Sequence, residues 1–183
     1  MSLDIPGYTV GTWSIDPTHS EVGFSIRHLM ISKVKGVFEK FSGTITTPED
    51  PRSSSVTASV EVESINTKNS DRDGHLLSSD FFLVGEHPTM EFTSTGLRHD
   101  DDQFLVDGDL TLRGVTKPVT FTFEFGGFGS DSSGNTIAAG TATTTITRND
   151  FGLSWNAPLE TGGIVLGDDV NITVEFEAVL NAA

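Results

Sequence analysis

The chain has 183 residues, which suggests one domain, and 26 acidic against 11 basic residues give it a formal net charge of −15. This excess of negative charge disfavours nucleic acid as a partner, and it disfavours electrostatic adhesion to anionic lipid headgroups. The absence of cysteine excludes disulfides, thiolate metal sites and a cysteine nucleophile. No apolar run approaches the ~20 residues of a membrane-spanning helix, so no integral membrane segment is expected.

Alternation of apolar and polar residues dominates the sequence and predicts half-buried β-strands. The clearest case is the C-terminal run, where every second residue from Val170 to Leu180 is apolar. β-Branched and aromatic residues, which favour strands, fill most of these runs. In chain order, strands are predicted at residues 11–16, 21–28, 33–41, 43–46, 55–65, 89–97, 103–113, 120–125, 135–147 and 170–180.

Segments rich in Gly, Pro, Asp or Ser separate these strands and predict turns at residues 35–36, 48–51, 99–102, 114–118 and 126–134, the last as a long hairpin loop. One segment interrupts the alternation. Ser70 and Asp73 resemble a capping box, which predicts a short helix at about residues 71–79 with Ser70 as its N-cap. Further helical turns are predicted near Thr18, where a proline follows Asp16, and at residues 148–151.

Many antiparallel strands and few helices predict an all-β protein, either a sandwich or a barrel. Closure into a barrel hides strand edges, and about eight strands are enough to enclose one elongated apolar ligand. Small residues at expected inward positions are compatible both with an open centre and with a core filled by the 13 phenylalanines; they are Ala58, Gly108, Ala139 and Ala178.

A series of short sequence motifs occurs along the chain. They are WSIDPTHS (13–20), VGFSIRHL (22–29), KGVF (35–38), FSG (41–43), RDGHL (72–76), SDFF (79–82), MEFTS (90–94), GDLTLRGVTKPV (108–119) and RNDFG (148–152). In this order the series resembles the YceI-like family of lipid- or polyisoprenoid-binding proteins, over nearly the whole chain. The resemblance implies a lipocalin-like antiparallel barrel of about eight strands. It also implies an elongated internal pocket for an isoprenoid or a similar long-chain amphiphile.

A pocket of this kind needs a continuous apolar wall, and the alternating strands supply candidates for it. Period two places these side chains on one face of each strand, but it does not decide whether the centre is hollow; the resemblance favours a hollow one. The candidate lipid-binding residues are Val22, Phe24, Ile26, His28, Val60, Val62, Phe92, Phe104, Val106, Leu110, Phe121, Phe123, Ile172, Val174 and Phe176.

An amphiphile also needs a polar site for its headgroup. A phosphate or pyrophosphate headgroup would need cationic groups or a helix N-terminus at that site. Five of the basic residues in these motifs are candidates for the headgroup site or the mouth of the barrel: His19, Arg27, Arg72, His75 and Arg148. A purely structural role is the alternative, because Arg72 beside Asp73 and Arg148 near Asp150 look like ion-paired corners that hold turns together.

We therefore expect a non-catalytic protein that sequesters or transports a long-chain isoprenoid of polyprenyl or quinone-precursor type, with no cofactor and no metal. One alternative is a metal-dependent hydrolase that uses the five histidines and the carboxylates. The histidine spacings are scattered, however, and neither H-E-x-x-H nor G-x-S-x-G occurs. The other alternative is a stress-related interaction protein with a filled barrel.

Residues 1–12 are expected to form an N-terminal extension, and residues 13–183 a single barrel domain that could pair with a second copy as a homodimer. Residues 1–12 contain no Lys or Arg and no apolar segment, unlike a secretory leader. We expect a cytoplasmic protein, or a periplasmic or secreted one if a leader has been removed.

Overall fold

The structure is a computed structural model, and it describes residues 3–101, 103–160 and 162–183. Its strands are β1 (Gly11–Ile15), β2 (Glu21–His28), β3 (Ser32–Phe38), β4 (Phe41–Thr47), β5 (Ser55–Glu61), β6 (Ile65–Asn66), β7 (Thr89–Asp100), β8 (Gln103–Leu112), β9 (Val115–Ser130), β10 (Thr136–Thr147) and β11 (Leu166–Leu180). The helix α1 spans Ser70–Leu77, and short 3-10 helices span Pro17–His19, Pro51–Ser53, Val62–Ser64 and Arg148–Phe151.

Eight of the strands form a closed antiparallel barrel in the order β1-β4-β5-β7-β8-β9-β10-β11, with β11 pairing back to β1. β11 is long enough to pair with two different strands along the same edge. Residues 178–180 pair with β1, and residues 166–175 pair with β2, which continues outward through β3 and β6. The predicted all-β fold and the barrel implied by the resemblance are confirmed.

Several predicted element boundaries differ from those in the structure. The predicted strand 55–65 breaks after Glu61, where the Ser64 hydroxyl donates to the Glu61 carbonyl at 2.6 Å and holds a 3-10 turn. The predicted turn at residues 35–36 lies inside β3. The predicted loop 126–134 is mostly strand, because the Asp131 carboxylate accepts from the Ser133 and Asn135 amides and closes a short turn.

The helix begins one residue earlier than predicted and ends two residues earlier. Its N-cap is Asn69 and not Ser70, because the Asn69 side chain accepts from the Arg72 amide at 3.0 Å. The Asp73 carboxylate turns back to the Thr67 amide, 3.0 Å away, and so completes no capping box with Ser70. The predicted helical turns near Thr18 and at residues 148–151 are confirmed. Among the described residues, no helix has both the length and the apolar character needed to cross a membrane.

The two ends of the barrel are built differently. At one, here called the helix end, α1 and the β2–β3 turn meet residues 148–160 and 162–165. There the His75 ring contacts Trp155, and the Leu29 amide donates to the Val165 carbonyl. At the other, here called the N-terminal end, Trp13 is 1% exposed and packs on Phe128. The N-terminal end is therefore closed by packed aromatic side chains.

Two small residues help to seat Trp13. Ala178 and Ala138 are buried in the same cluster as the indole, which donates from Nε1 to the Thr47 hydroxyl at 2.8 Å. The expectation that Ala139 faces inward is wrong. A register irregularity lies between Ala139 and the next residue, and Ala139 pairs there with the outward Glu177.

Three glycines of the wall lie beneath phenylalanine rings. A Cβ built on any of them would come closer than 3.0 Å to a ring atom, a distance that real Cβ atoms do not show. The missing Cβ therefore leaves room for a ring to lie against the backbone of the neighbouring strand. The pairs are Phe24 over Gly36, Phe92 over Gly108 and Phe123 over Gly140.

The turn between β1 and β2 carries an exposed cluster of three ionisable groups. Asp16 caps the 3-10 helix by accepting from the Thr18 amide at 2.9 Å, and its other oxygen lies 2.7 Å from His19 Nδ1. Glu177 Oε1 is 3.7 Å from the same nitrogen. The hydrogen bond to Asp16, followed by the charge of Glu177, raises the pKa of His19 above its ordinary value.

Replacing Gly108 by Ala should destabilise the barrel, because the new Cβ meets the Phe92 ring and the Thr93 carbonyl, which is backbone and cannot move aside. Overpacking of this kind costs about 1–3 kcal/mol. The matched control is Gly96→Ala in β7, where a Cβ has no neighbour within 4 Å. Urea denaturation measures both variants, and equal stabilities of Gly108→Ala and Gly96→Ala would contradict this account of the wall.

Titration of the His19 ring by NMR should give a midpoint above 6.5, the ordinary pKa of histidine. Because folding raises this pKa, protonated His19 stabilises the fold fully below about pH 6.5, and this contribution disappears as the pH rises through the folded-state midpoint. Asp16→Asn should lower the midpoint, and Glu177→Gln should lower it less, in the order of their contributions. A midpoint that does not move in Asp16→Asn would refute the assignment.

Candidate functional site

A cavity of about 510 Å³ lies inside the barrel, within the size range of small-molecule sites. Its wall is made almost entirely by apolar side chains from the inner faces of the strands. All of the predicted wall residues except Val62 and Phe104 line it: Val22, Phe24, Ile26, His28, Val60, Phe92, Val106, Leu110, Phe121, Phe123, Ile172, Val174 and Phe176. A barrel with a filled centre, the alternative raised by the sequence, does not fit this cavity. Contact of these residues with a ligand stays a prediction.

The two exceptions have separate physical causes. Val62 follows the break in β5, so the 3-10 turn shifts its phase, and its side chain is 1% exposed in the protein interior. Phe104 lies deeper toward the N-terminal end, where it lines a second cavity of about 110 Å³ beside Trp13. The two cavities share five lining residues, namely Ile45, Ser54, Leu97, Phe123 and Phe176.

Several residues of the cavity wall were not predicted from the sequence. Phe38 lies on the same face of β3 as Val34, and the alternation along this strand could have identified it. Phe81 and Trp155 belong to irregular segments, where no period exists to mark an inward side chain. Their rings lie 5.4 Å apart and each contacts His75, so the three form an aromatic group at the helix end.

Arg148 is the most deeply buried cation at the cavity wall, with 3% of its surface exposed. Its guanidinium donates to three backbone carbonyls, those of Gly167 at 2.8 Å, Leu153 at 2.6 Å and Trp155 at 2.8 Å. Burial lowers the pKa of Arg148, and the charge of Asp168 opposes this. The expected ion pair with Asp150 is not formed: within residues 3–101, 103–160 and 162–183, no carboxylate oxygen lies within 4.0 Å of this guanidinium.

The other two helix-end candidates also reach the cavity wall. Arg72 donates from Nε and Nη2 to the hydroxyl and carbonyl oxygens of Thr67, at 2.8 and 2.7 Å. Asp73 bonds to the same threonine, so Arg72 and Asp73 hold this turn through Thr67 and not through an ion pair with each other. His75 Nε2 lies 2.8 Å from Asp80, which fixes the ring against Trp155.

The remaining two headgroup candidates lie away from the cavity. His19 belongs to the exposed turn between β1 and β2, and 60% of its side chain is accessible to solvent. Arg27 points outward from β2 and donates to the Met30 carbonyl at 3.2 Å. The polar end of the cavity is thus formed by Arg72, His75 and Arg148.

Within the part of the chain that the structure describes, one group of side chains could offer three metal ligands. Its ligand atoms, from Asp16, His19 and Glu177, lie within 4.8 Å of one another. The group is outside the barrel, and hydrogen bonds to the turn already engage Asp16 and His19. It lies apart from the cavity, so the geometry does not join it to a substrate pocket.

Comparisons with known proteins match this architecture. The family model described as a YceI-like domain covers residues 13–178. A UPF0312 protein of Staphylococcus aureus is 38% identical over 167 residues, which are 90% of this chain and 95% of that protein. The crystal structure of a YceI protein from Campylobacter jejuni is 31% identical, with a TM-score of 0.73 over 97% of this chain and 100% of that one.

More distant structures share the fold. Burkholderia cenocepacia BcnA superposes with a TM-score of 0.77 at 19% identity, covering 89% of this chain and 98% of its own. A polyisoprenoid-binding domain from Saccharophagus degradans superposes with a TM-score of 0.68 at 18% identity, covering 94% of this chain and all of its own. Since the family model spans most of the chain and relatives above 30% identity cover it nearly end to end, the protein belongs to the YceI-like family.

Proposed function

We propose that this protein binds a long-chain isoprenoid lipid non-covalently inside the barrel, and that it sequesters or carries this lipid without catalysing a reaction. The observation that carries the proposal is the cavity of about 510 Å³ with an apolar wall. An apolar chain gains about 0.8 kcal/mol for each buried CH₂ group, so a tail of several isoprene units supplies the affinity by burial alone. The cost of ordering the tail offsets part of this gain.

The shape of the site supports an amphiphile with a single polar end. The basic wall residues His28, Arg72, His75 and Arg148 gather at the helix end, whereas Phe123 and Phe176 mark the passage toward the second cavity at the N-terminal end. A lipid would therefore lie with its headgroup toward α1 and its tail toward Trp13. The polyisoprenoid-binding domain of Saccharophagus degradans, which has the same fold, supports the choice of an isoprenoid tail.

The buried charge of Arg148 supports a headgroup that accepts hydrogen bonds, such as a phosphate or a quinone carbonyl. Arginine stays protonated in proteins, and here its charge is balanced by carbonyl dipoles and by the more distant Asp168. An anion or a strong acceptor at the cavity wall would gain from this positive charge, because the surroundings are apolar and screen it weakly.

Filling part of the cavity should weaken lipid binding. Ala58 lines the cavity from β5, and Ala58→Phe would place a ring where the tail is proposed to lie. Loss of two or more buried CH₂ groups should weaken binding of a fluorescent polyprenyl probe about tenfold or more. Thr57→Phe is the matched control, since Thr57 is exposed on the outer face of the same strand. Equal probe affinities of the two variants, or no uptake of the probe by the unaltered protein, would contradict the proposal.

The headgroup assignment predicts that the unaltered protein binds a polyprenyl phosphate more tightly than the polyprenol of equal length, by about tenfold. Arg148→Gln should remove this preference, and Arg148→Lys, which keeps the charge but not the planar fork, should retain part of it. Arg52→Gln, at an exposed pair with Asp50, serves as the control. Calorimetric titration measures the preference, thermal unfolding checks the folding of each variant, and a full preference in folded Arg148→Gln would disprove the role of Arg148.

A further inference from the structure

The tip of the β2–β3 hairpin presents an unusual concentration of exposed apolar side chains. The described residues expose five large hydrophobic side chains, and four of them lie together in what we call the apolar tip: Leu29 (40% exposed), Met30 (53%), Ile31 (86%) and Ile164 (38%). The fifth, Val10, lies near the N-terminal end. Folding therefore leaves almost all of this exposed apolar surface at one corner of the molecule.

The backbone of the tip is strained in order to present these residues. Leu29 and Met30 form a two-residue turn with φ of 52° and 64°, in the left-handed region that favours Asn and Gly. The Ile31 amide closes the turn by donating to the His28 carbonyl at 3.3 Å, and the Leu29 amide ties it to Val165. Large apolar residues here satisfy neither the turn geometry nor a core, which points to a role for their exposure.

The charge around the tip is opposite to that of the whole chain. Residues 22–38 contain no Asp or Glu, and they carry three of the 11 cations of a chain whose net charge is −15. Arg27 faces Lys33 directly across the two strands, and Lys35 is the next outward residue of β3. All three are exposed on the outer face, so the hairpin has an apolar tip with a cationic collar.

Acidic groups near the tip are few and lie to one side of it. Glu160 is exposed in the loop that carries Ile164. Asp168 and Asp169 follow that loop and lean toward β10, where they accept from Asn149 and Thr147 at 3.4 Å. On the hairpin itself, residues 22–38 carry no negative charge, and Glu21 lies at the end of β2 away from the tip.

The apolar tip is also continuous with the cavity. His28 and Val34, which flank the turn, line the cavity, and so do Val165 and Leu166 immediately after Ile164. Apolar surface therefore extends from the exposed tip to the interior wall at the helix end. A surface that met the tip would also face this end of the cavity.

We propose that the apolar tip and its cationic collar dock the protein on the surface of a bilayer that contains anionic lipids. Leu29, Met30, Ile31 and Ile164 enter the boundary between headgroups and acyl chains, and Arg27, Lys33 and Lys35 contact anionic headgroups. This arrangement places the helix end of the barrel at the membrane. Docking rests on the exposed surface alone and does not require any particular ligand in the cavity.

Flotation with phosphatidylcholine vesicles, with and without phosphatidylglycerol, tests the proposal on the full chain. The unaltered protein should float with the phosphatidylglycerol vesicles and lose this binding as ionic strength rises. Each neutralised lysine near the surface lowers partitioning about fivefold, so Lys33→Gln combined with Lys35→Gln should lower it roughly 25-fold. Ile31→Ser should lower it about tenfold or more without unfolding the protein, because Ile31 is 86% exposed.

The controls change the same chemistry elsewhere. Val10→Ser removes the exposed apolar side chain outside the tip, and Lys40→Gln combined with Lys117→Gln removes two exposed lysines outside the hairpin. Both should float like the unaltered protein. Failure of the unaltered protein to bind phosphatidylglycerol vesicles at low salt, or equal losses in the controls, would overturn the proposal. A third result would also overturn it: the unaltered protein sediments as a dimer, Ile31→Ser dissociates this dimer, and the protein does not bind vesicles.

The two proposals can fail separately. A protein that floats but takes up no polyprenyl probe would retain the docking surface and lose the proposed lipid function. A protein that binds the probe but not the vesicles would retain the lipid function and lose the docking surface.

Discussion

The contact of phenylalanine rings with glycine backbones is the interaction on which this barrel depends. An eight-stranded barrel is narrow enough for its own side chains to fill, so an open centre requires the largest inward side chains to lie along the wall. Phe24, Phe92 and Phe123 can do so because the neighbouring strand lacks a Cβ beneath each ring. Phe123 also stacks on Phe176, with an interplanar angle of 13°. The wall thus buries its aromatic surface and still leaves the cavity open.

Alternation predicted most of this wall because a period of two holds wherever a strand is buried on one face. It failed at Val62, since the 3-10 turn that the Ser64 hydroxyl holds shifts the phase of the alternation. The turn signal, in contrast, failed at Gly36. Alternation placed residues 33–41 in a strand, and the glycine there is required by the ring of Phe24 on the next strand. Periodicity identifies the face that a residue occupies, but the space left between opposite faces is a tertiary property that it does not contain.

The polar end of the cavity was predictable only in part. Sequence motifs identified Arg72, His75 and Arg148 as candidates. In the structure, however, other contacts take the place of the ion pairs expected for the two arginines. Arg148 bonds to carbonyls 5, 7 and 19 residues away, and Arg72 bonds to Thr67. Such contacts join irregular segments whose spatial arrangement no local pattern encodes. The consequence is electrostatic: the Arg148 guanidinium is held by carbonyl dipoles, whereas a carboxylate partner would have neutralised its charge.

The net charge of the chain disfavours adhesion to anionic lipid headgroups, whereas the β2–β3 hairpin is proposed to bind them. The range of electrostatic forces explains the difference. Charges interact over a Debye length of about 10 Å at 0.1 M salt, so a membrane senses the groups nearest to it and not the sum over the chain. The collar of Arg27, Lys33 and Lys35 surrounds an apolar tip, while the acidic residues lie on other surfaces or to one side. In the proposed docking the remaining negative charge would have a directional effect, because it disfavours orientations that turn acidic surfaces toward the bilayer.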